Sequence, residues 1–157
     1  MRKMKRVVVG LLALGMAFTM TACGGKEQTV TYRGEVEESG LKATDTMTFT
    51  AKGDTVEKLN EVIEFDISSF DDSVKEQLNT VYEELSGTYS AIDGVECTMT
   101  TGDNTITLNI DVDTTGDAVK ELTSQGLLDM NGGDGSGKIS LKASGASLES
   151  SGYEKVE

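Results

Sequence analysis

Few side chains in this 157-residue chain are suited to chemistry, and what is missing narrows the choice first. There is no histidine, no tryptophan and no proline, and there are two cysteines. Without histidine, Ser-His and Cys-His catalysis and every His-containing zinc site are excluded. Cys97 shares a strand face with Val95 and Met99. No Lys, Arg or His lies beside it to lower its pKa, so it is expected as a small buried core residue rather than a reactive thiol. Asp111 and Asp113 flank Val112. At i and i+2 on a strand they share a face that would suit metal or acid–base work, but Ile110 and Val112 claim the opposite face, which leaves the aspartates facing water. Asp129-Met130-Asn131-Gly132-Gly133-Asp134-Gly135-Ser136 sets several oxygen ligands in one loop. As a calcium loop it is incomplete: counted from Asp129, the places that an EF-hand gives to Gly and Glu hold Asp134 and Ser140. Asp129, Asn131 and Asp134 are therefore a weak metal candidate, with a solvated linker the better reading. Glu35, Glu37, Glu38, Glu57, Glu61 and Glu64 crowd the first strands. They read as a solvated sheet face or an acidic docking surface. No catalytic residue and no cofactor emerges, and the chain is expected not to be an enzyme.

The remaining cysteine, Cys23, belongs to a different kind of signal. Arg2, Lys3, Lys5 and Arg6 precede an uncharged run from Val7 to Met20. A basic start, a short apolar stretch and a small-residue end describe an export signal, and the run is short for a spanning helix of about 20 residues. Met20-Thr21-Ala22-Cys23 resembles a bacterial lipobox, with Met in the place where Leu is commonest. The resemblance implies cleavage before Cys23 and a diacylglyceryl group, with palmitate-class acyl chains, on its thiol. Residues 1–22 are then a lipoprotein signal peptide, and 23–28 a lipidated cysteine with a short polar tether. Residues 29–157 are a single domain. Five extended tether residues reach at most about 18 Å, so the domain is expected close to an extracytoplasmic membrane surface. With Cys23 acylated, Cys97 has no partner and a disulfide framework is excluded.

Removing the four basic residues of the signal leaves 10 Lys+Arg against 27 Asp+Glu, a formal charge of −17 where the whole chain has −13. Such a domain is not expected to bind nucleic acid, which needs a cationic face. It is expected to be repelled by an anionic lipid surface and kept soluble by its charge, and to be a monomeric domain.

The elements that must position these residues follow from two periodicities. Val30, Tyr32 and Val36 in Thr29–Val36, Met47, Phe49 and Ala51 in Thr46–Ala51, and Ile63, Phe65 and Ile67 alternate as strands. Phe70, Val74, Leu78, Val81 and Leu85 then fall at helical spacing, with Ser68 or Ser69 as cap, Asp71 and Asp72 in the first turn and Gly87 near the end. A second hairpin places Val95, Cys97 and Met99 against Ile106, Leu108, Ile110 and Val112. A short helix is expected over 116–124, a weaker one over 140–151, and an edge strand over 153–157. Hairpin-then-helix occurs twice, and both duplication and convergent turn chemistry account for it. The order β-β-β-α-β-β-α-α-(β) predicts an α+β fold, an antiparallel sheet built from hairpins with helices packed on one face.

Tyr32-Arg33-Gly34-Glu35, Lys52-Gly53-Asp54-Thr55-Val56-Glu57-Lys58, Tyr89-Ser90-Ala91-Ile92-Asp93-Gly94-Val95, Ile139-Ser140-Leu141-Lys142, Leu148 and Gly152-Tyr153-Glu154-Lys155-Val156 occur in this order. In these segments the chain resembles the YehR-like family of small bacterial lipoproteins, a domain of unassigned activity. The resemblance covers nearly all of the mature chain. It implies a lipid-anchored α+β domain and supplies no catalytic residues. A non-enzymatic binding or accessory protein of the cell envelope, with another envelope protein as its partner, is the leading expectation. A small-molecule or calcium-binding module is the alternative.

Overall fold

The computed structural model describes residues 25–128 and 137–156. Three long strands, β1 (Glu27–Glu38), β2 (Leu41–Lys52) and β3 (Thr55–Asp66), lead into α1 (Asp72–Ser90). The second hairpin, β4 (Val95–Thr101) and β5 (Thr105–Asp113), is followed by α2 (Ala118–Ser124), α3 (Leu141–Ser150) and β6 (Glu154–Val156). The expected element order holds. The strands form one antiparallel sheet ordered β4-β5-β3-β2-β1-β6, with β3 joined to β5 where the two hairpins meet.

Alternation sets which side chains are covered. On β2, Leu41, Ala43, Asp45, Met47, Phe49 and Ala51 all point to the helix side and are buried, while the residues between them face outward. On β3 the inward row is Leu59, Glu61, Ile63 and Phe65. A bulge opposite Thr50 and Ala51 lets Val56 also turn inward. The bulge leaves carbonyls that Thr114 satisfies: its hydroxyl donates to Val56 O at 2.6 Å and its N–H to Glu57 O at 3.1 Å. Helix α1 covers β4 and β5 and lays Leu78, Tyr82 and Tyr89 on the sheet. The rings of Tyr82 and Phe65 stack with centroids 4.3 Å apart.

Several boundaries differ from the sequence-based expectation. The cap of α1 is Asp71, whose carboxylate accepts from Val74 N–H, because Ser68 is held in a turn by its N–H to Asp66 Oδ1. Gly87 lies inside α1 and does not end it. The helix continues to Ser90 because Tyr89 is buried and because Ser86 and Ser90 both donate to Cys97 O, with Ser90 also accepting from Cys97 N–H. These hydroxyls occupy backbone groups at the edge of β4 that would otherwise be free to pair with another chain. Tyr82, one residue past the expected Val81, is the fully buried member of that turn. Helix α2 starts at Ala118, two residues later than expected, because Asp113 accepts from Thr115 N–H and hydroxyl in a turn before it. The strand at the C-terminus begins at Glu154, since Tyr153 turns inward. The tether is shorter than expected. Glu27 and Gln28 already belong to β1, and Gln28 Nε2 donates to Gly53 O at 2.7 Å.

Gly145 departs from helix propensity for a steric reason. A Cβ there would run into the hydroxyl of Tyr32, so the glycine is what lets α3 settle on β1. Gly145→Ala is expected to cost about 1–3 kcal/mol in chemical denaturation. Adding Tyr32→Phe, which removes the obstructing oxygen, should restore part of that loss. If the double variant is no more stable than Gly145→Ala alone, the contact is not the cause.

Candidate functional site

Two carboxyl groups occupy places in the core that alternation assigns to apolar side chains. Asp45 stands between Ala43 and Met47 on β2, and Glu61 between Leu59 and Ile63 on β3. They are 0% and 1% exposed. In register Asp45 lies opposite Ile63 and Met47 opposite Glu61. The two acids are therefore diagonal neighbours on one face, about 7 Å apart at Cβ.

The chain supplies one direct partner. Tyr153 Oη donates to Asp45 Oδ2 at 2.7 Å. Its ring reaches that position because Gly34, directly across from Asp45 on β1, has no side chain. A Cβ on Gly34 would meet Tyr153 ring atoms at 2.8 to 2.9 Å. Asp45 Oδ1 and both oxygens of Glu61 are buried without a hydrogen-bond partner among the described residues.

Among the described residues no lysine or arginine is a main cause of the shift at either acid. Burial raises Glu61 well above the usual carboxylate range, and the neighbouring Asp45 charge raises it further. Asp45 is pushed up to about 6 by burial, against the opposing effect of the Tyr153 hydrogen bond. Tyr89 and Cys97 feel the Glu61 charge, Tyr153 feels both acids, and all three are raised, chiefly by burial. Burial favours the protonated form of both acids. With both acids covered, no dissolved substrate touches them in this conformation.

The residues singled out in the sequence take these places. Cys97 is buried and its thiol is pushed up, so it is part of the core. Asp111 and Asp113 face outward: Asp111 accepts from Asn60 Nδ2 at 2.9 Å, and Asp113 is held below the usual range by Thr115. They line an open groove with Lys58 and Asn60. Glu35, Glu37, Glu38 and Glu64 are exposed and Glu57 is half-buried at the bulge. Glu61 corrects the reading of this acidic set as solvated, because it shares the parity of Ile63 and Phe65 and is carried inward with them. That parity, and the same parity of Asp45 with Met47 and Phe49, was the available signal for both acids. Cys23 and the weak metal candidates Asp129, Asn131 and Asp134 lie outside the described residues. Among the described residues no group of three or more His, Cys, Asp or Glu is placed to hold a metal, and no helix is long and apolar enough to cross a membrane.

The fold and the covered carboxyl pair define a small α+β domain, one antiparallel sheet with helices on a single face. The chain belongs to the family described as Protein of unknown function (DUF1307), whose model matches residues 28–154. An uncharacterized lipoprotein of Listeria monocytogenes is 29% identical over 156 residues, covering 99% of each chain. One of Listeria innocua is 28% identical over 161 residues, covering 100% of this chain and 99% of the relative. Among solved structures, the NMR structure of the Escherichia coli YehR protein matches with a TM-score of 0.60 at 22% identity, over 85% of this chain and 94% of that one. An NMR structure of a Streptococcus pneumoniae protein matches with a TM-score of 0.51 at 13% identity, over 90% and 92%. The YehR-like resemblance read from the sequence is borne out.

Two measurements test the site. Both acids have raised pKa values in the fold, so folding takes up protons. Their contribution to stability is complete below about pH 4 and is lost as pH rises through about 6 for Asp45 and through the raised pKa of Glu61. For Asp45 the change from 3.8 to about 6 corresponds to about 3 kcal/mol between the protonation states. The melting temperature should fall as pH rises from about 4 through about 6 as far as these groups govern it, and Asp45→Asn or Glu61→Gln should flatten that fall. An unchanged slope in both variants would refute the assignment. Separately, in a Cys23→Ser chain Cys97 should resist a thiol reagent until denaturant is added; rapid labelling of the native protein would contradict its burial.

Proposed function

We propose that the protein is a lipid-anchored, extracytoplasmic binding protein of the cell envelope, held by a diacylglyceryl group on Cys23 and acting without catalysis. The observation that carries the reading is the separation of its two sheet faces. The carboxyl pair is sealed beneath the helices, while the other face is open and lined by polar side chains such as Thr44, Thr46, Thr48, Asn60 and Asn109. Contacts with another molecule are then surface contacts, and another envelope protein is the expected partner. The lipobox-like Met20–Cys23 supports the anchor, as do relatives named lipoproteins over their full length. The short span from Cys23 to Glu27, where β1 begins, holds the domain by one end near the lipid surface.

Intact mass of the protein taken from its native membrane tests the anchor. The expected species starts at residue 23 and carries a diacylglyceryl mass, and Cys23→Ala is expected to be uncleaved or released. An unmodified mature chain would overturn the anchor. A photo-crosslinking residue in place of Thr48 is expected to trap a discrete partner in intact cells, and the absence of any adduct would count against the binding role.

A further inference from the structure

The fold gathers lysines that are far apart in sequence around the point where the chain leaves for Cys23. Gly25 packs against the backbone of Gly53, and Gly53 N–H donates to Lys26 O at 3.2 Å. The β2–β3 turn therefore lies beside the start of the tether. The first turn of α3 is bound to the same place: Leu141 N–H donates to Asp54 O and Lys142 N–H to Asp54 Oδ1, each at 2.8 Å. Lys26, Lys52 and Lys142 are exposed at this corner, with Lys138 exposed on the segment entering α3. The acids in the same stretch are Glu27 and Asp54, and Asp54 is engaged with α3.

At this same end the β3–β5 side is acidic, with Asp93, Glu96, Asp111 and Asp113 exposed beyond Lys58, so the lysines form a local corner on the β1, β2 and α3 side; the far end is acidic too. Glu35, Glu37, Glu38, Glu64, Asp66 and Asp72 are exposed there with Lys42 and Lys75 nearby. Strands of 12 residues place the two ends about 40 Å apart. From Gly25 to Cys23 is two residues, at most about 7 Å. A lipid on Cys23 thus puts the lysine corner at the headgroups and the far end well beyond the Debye length of about 8 Å.

We propose that this corner, formed by Lys26, Lys52 and Lys142 with Lys138 beside them, is the membrane footprint of the domain. It docks on anionic phospholipid headgroups, with the acidic β4–β5 side of the same end and the far turns held away. The net repulsion expected from the charge of −17 and a local attraction coexist because headgroup fields decay within a Debye length, so only the nearest charges feel them strongly. Repulsion of Asp93, Glu96, Asp111 and Asp113 tilts the domain onto the lysine corner. The inference rests on the reading that Cys23 carries a lipid.

The test is lysine acylation by a water-soluble reagent, read peptide by peptide by mass spectrometry. The full-length lipidated protein is placed in vesicles of phosphatidylcholine with or without phosphatidylglycerol. With phosphatidylglycerol, Lys26, Lys52, Lys138 and Lys142 are expected to become several-fold less reactive than in phosphatidylcholine alone, while Lys42 and Lys75 stay unchanged. Raising the salt to about 0.5 M should abolish the difference. Equal reactivity in the two vesicle types, or protection centred on Lys42 and Lys75, would overturn the footprint. Failure of the anchor is separately visible, because an unlipidated chain does not float with vesicles. In that case coupling the Cys23 thiol to a maleimide lipid, with Cys97 buried, allows the same footprint measurement: protection of the corner lysines supports the footprint, and its absence overturns it.

Discussion

Every inward side chain of β2 and β3 must be covered, and two of them are carboxyls. Burying an ionised carboxylate without a cation is costly, and the interior meets that cost by retaining protons and supplying a tyrosine hydroxyl. Much of the C-terminal structure follows from that solution. Tyr153 must come inward to reach Asp45, so Gly34 must leave room for its ring. The segment after Tyr153 then runs beside β1 and closes the sheet as β6. Gly145 allows α3 to rest on Tyr32 on the same strand.

The inner face is held by apolar packing and this buried pair, whereas the outer face is held by side chains that satisfy one another. Asn60 Nδ2 donates to Asn109 Oδ1 at 2.7 Å, and the hydroxyls of Thr31 and Thr48 lie 3.0 Å apart. Such pairs stabilise an exposed face without apolar surface. The β4 edge is guarded by serines of α1, and β6 shields three residues of β1. Edges guarded in this way do not recruit neighbouring strands. Lysines gather only at the corner where β1 begins, whereas acids occupy both the far turns and the β3–β5 side of the same end.

Much of the fold was legible because alternation and helical spacing are local properties. Met47-Phe49-Ala51, Ile106-Leu108-Ile110 and Phe70-Val74-Leu78 identify strand, strand and helix without reference to anything distant. The order of elements, the export signal, the buried Cys97 and the outward Asp111 and Asp113 come from the same kind of reading. Glu61 was misread although its parity was correct, because a charged side chain was weighed by its type rather than by its place in the row. Gly87 and Gly145 were weighed by helix propensity, which tertiary contacts override: Tyr89 carries the helix past the first, and Tyr32 requires the second.

The sequence by itself determined the strand and helix periods, their order and the acidic balance, since each is written in neighbouring residues. Only the tertiary structure decided that Asp45, Glu61 and Tyr153 share one interior, because a hydrogen bond across 108 positions requires the sheet to be assembled. It likewise decided that Lys26, Lys52 and Lys142 meet at one corner. Their meeting depends on the β1–β2 register, the β2–β3 turn and the docking of α3 on Asp54 together, and long-range closure of that kind leaves no periodic trace along the chain.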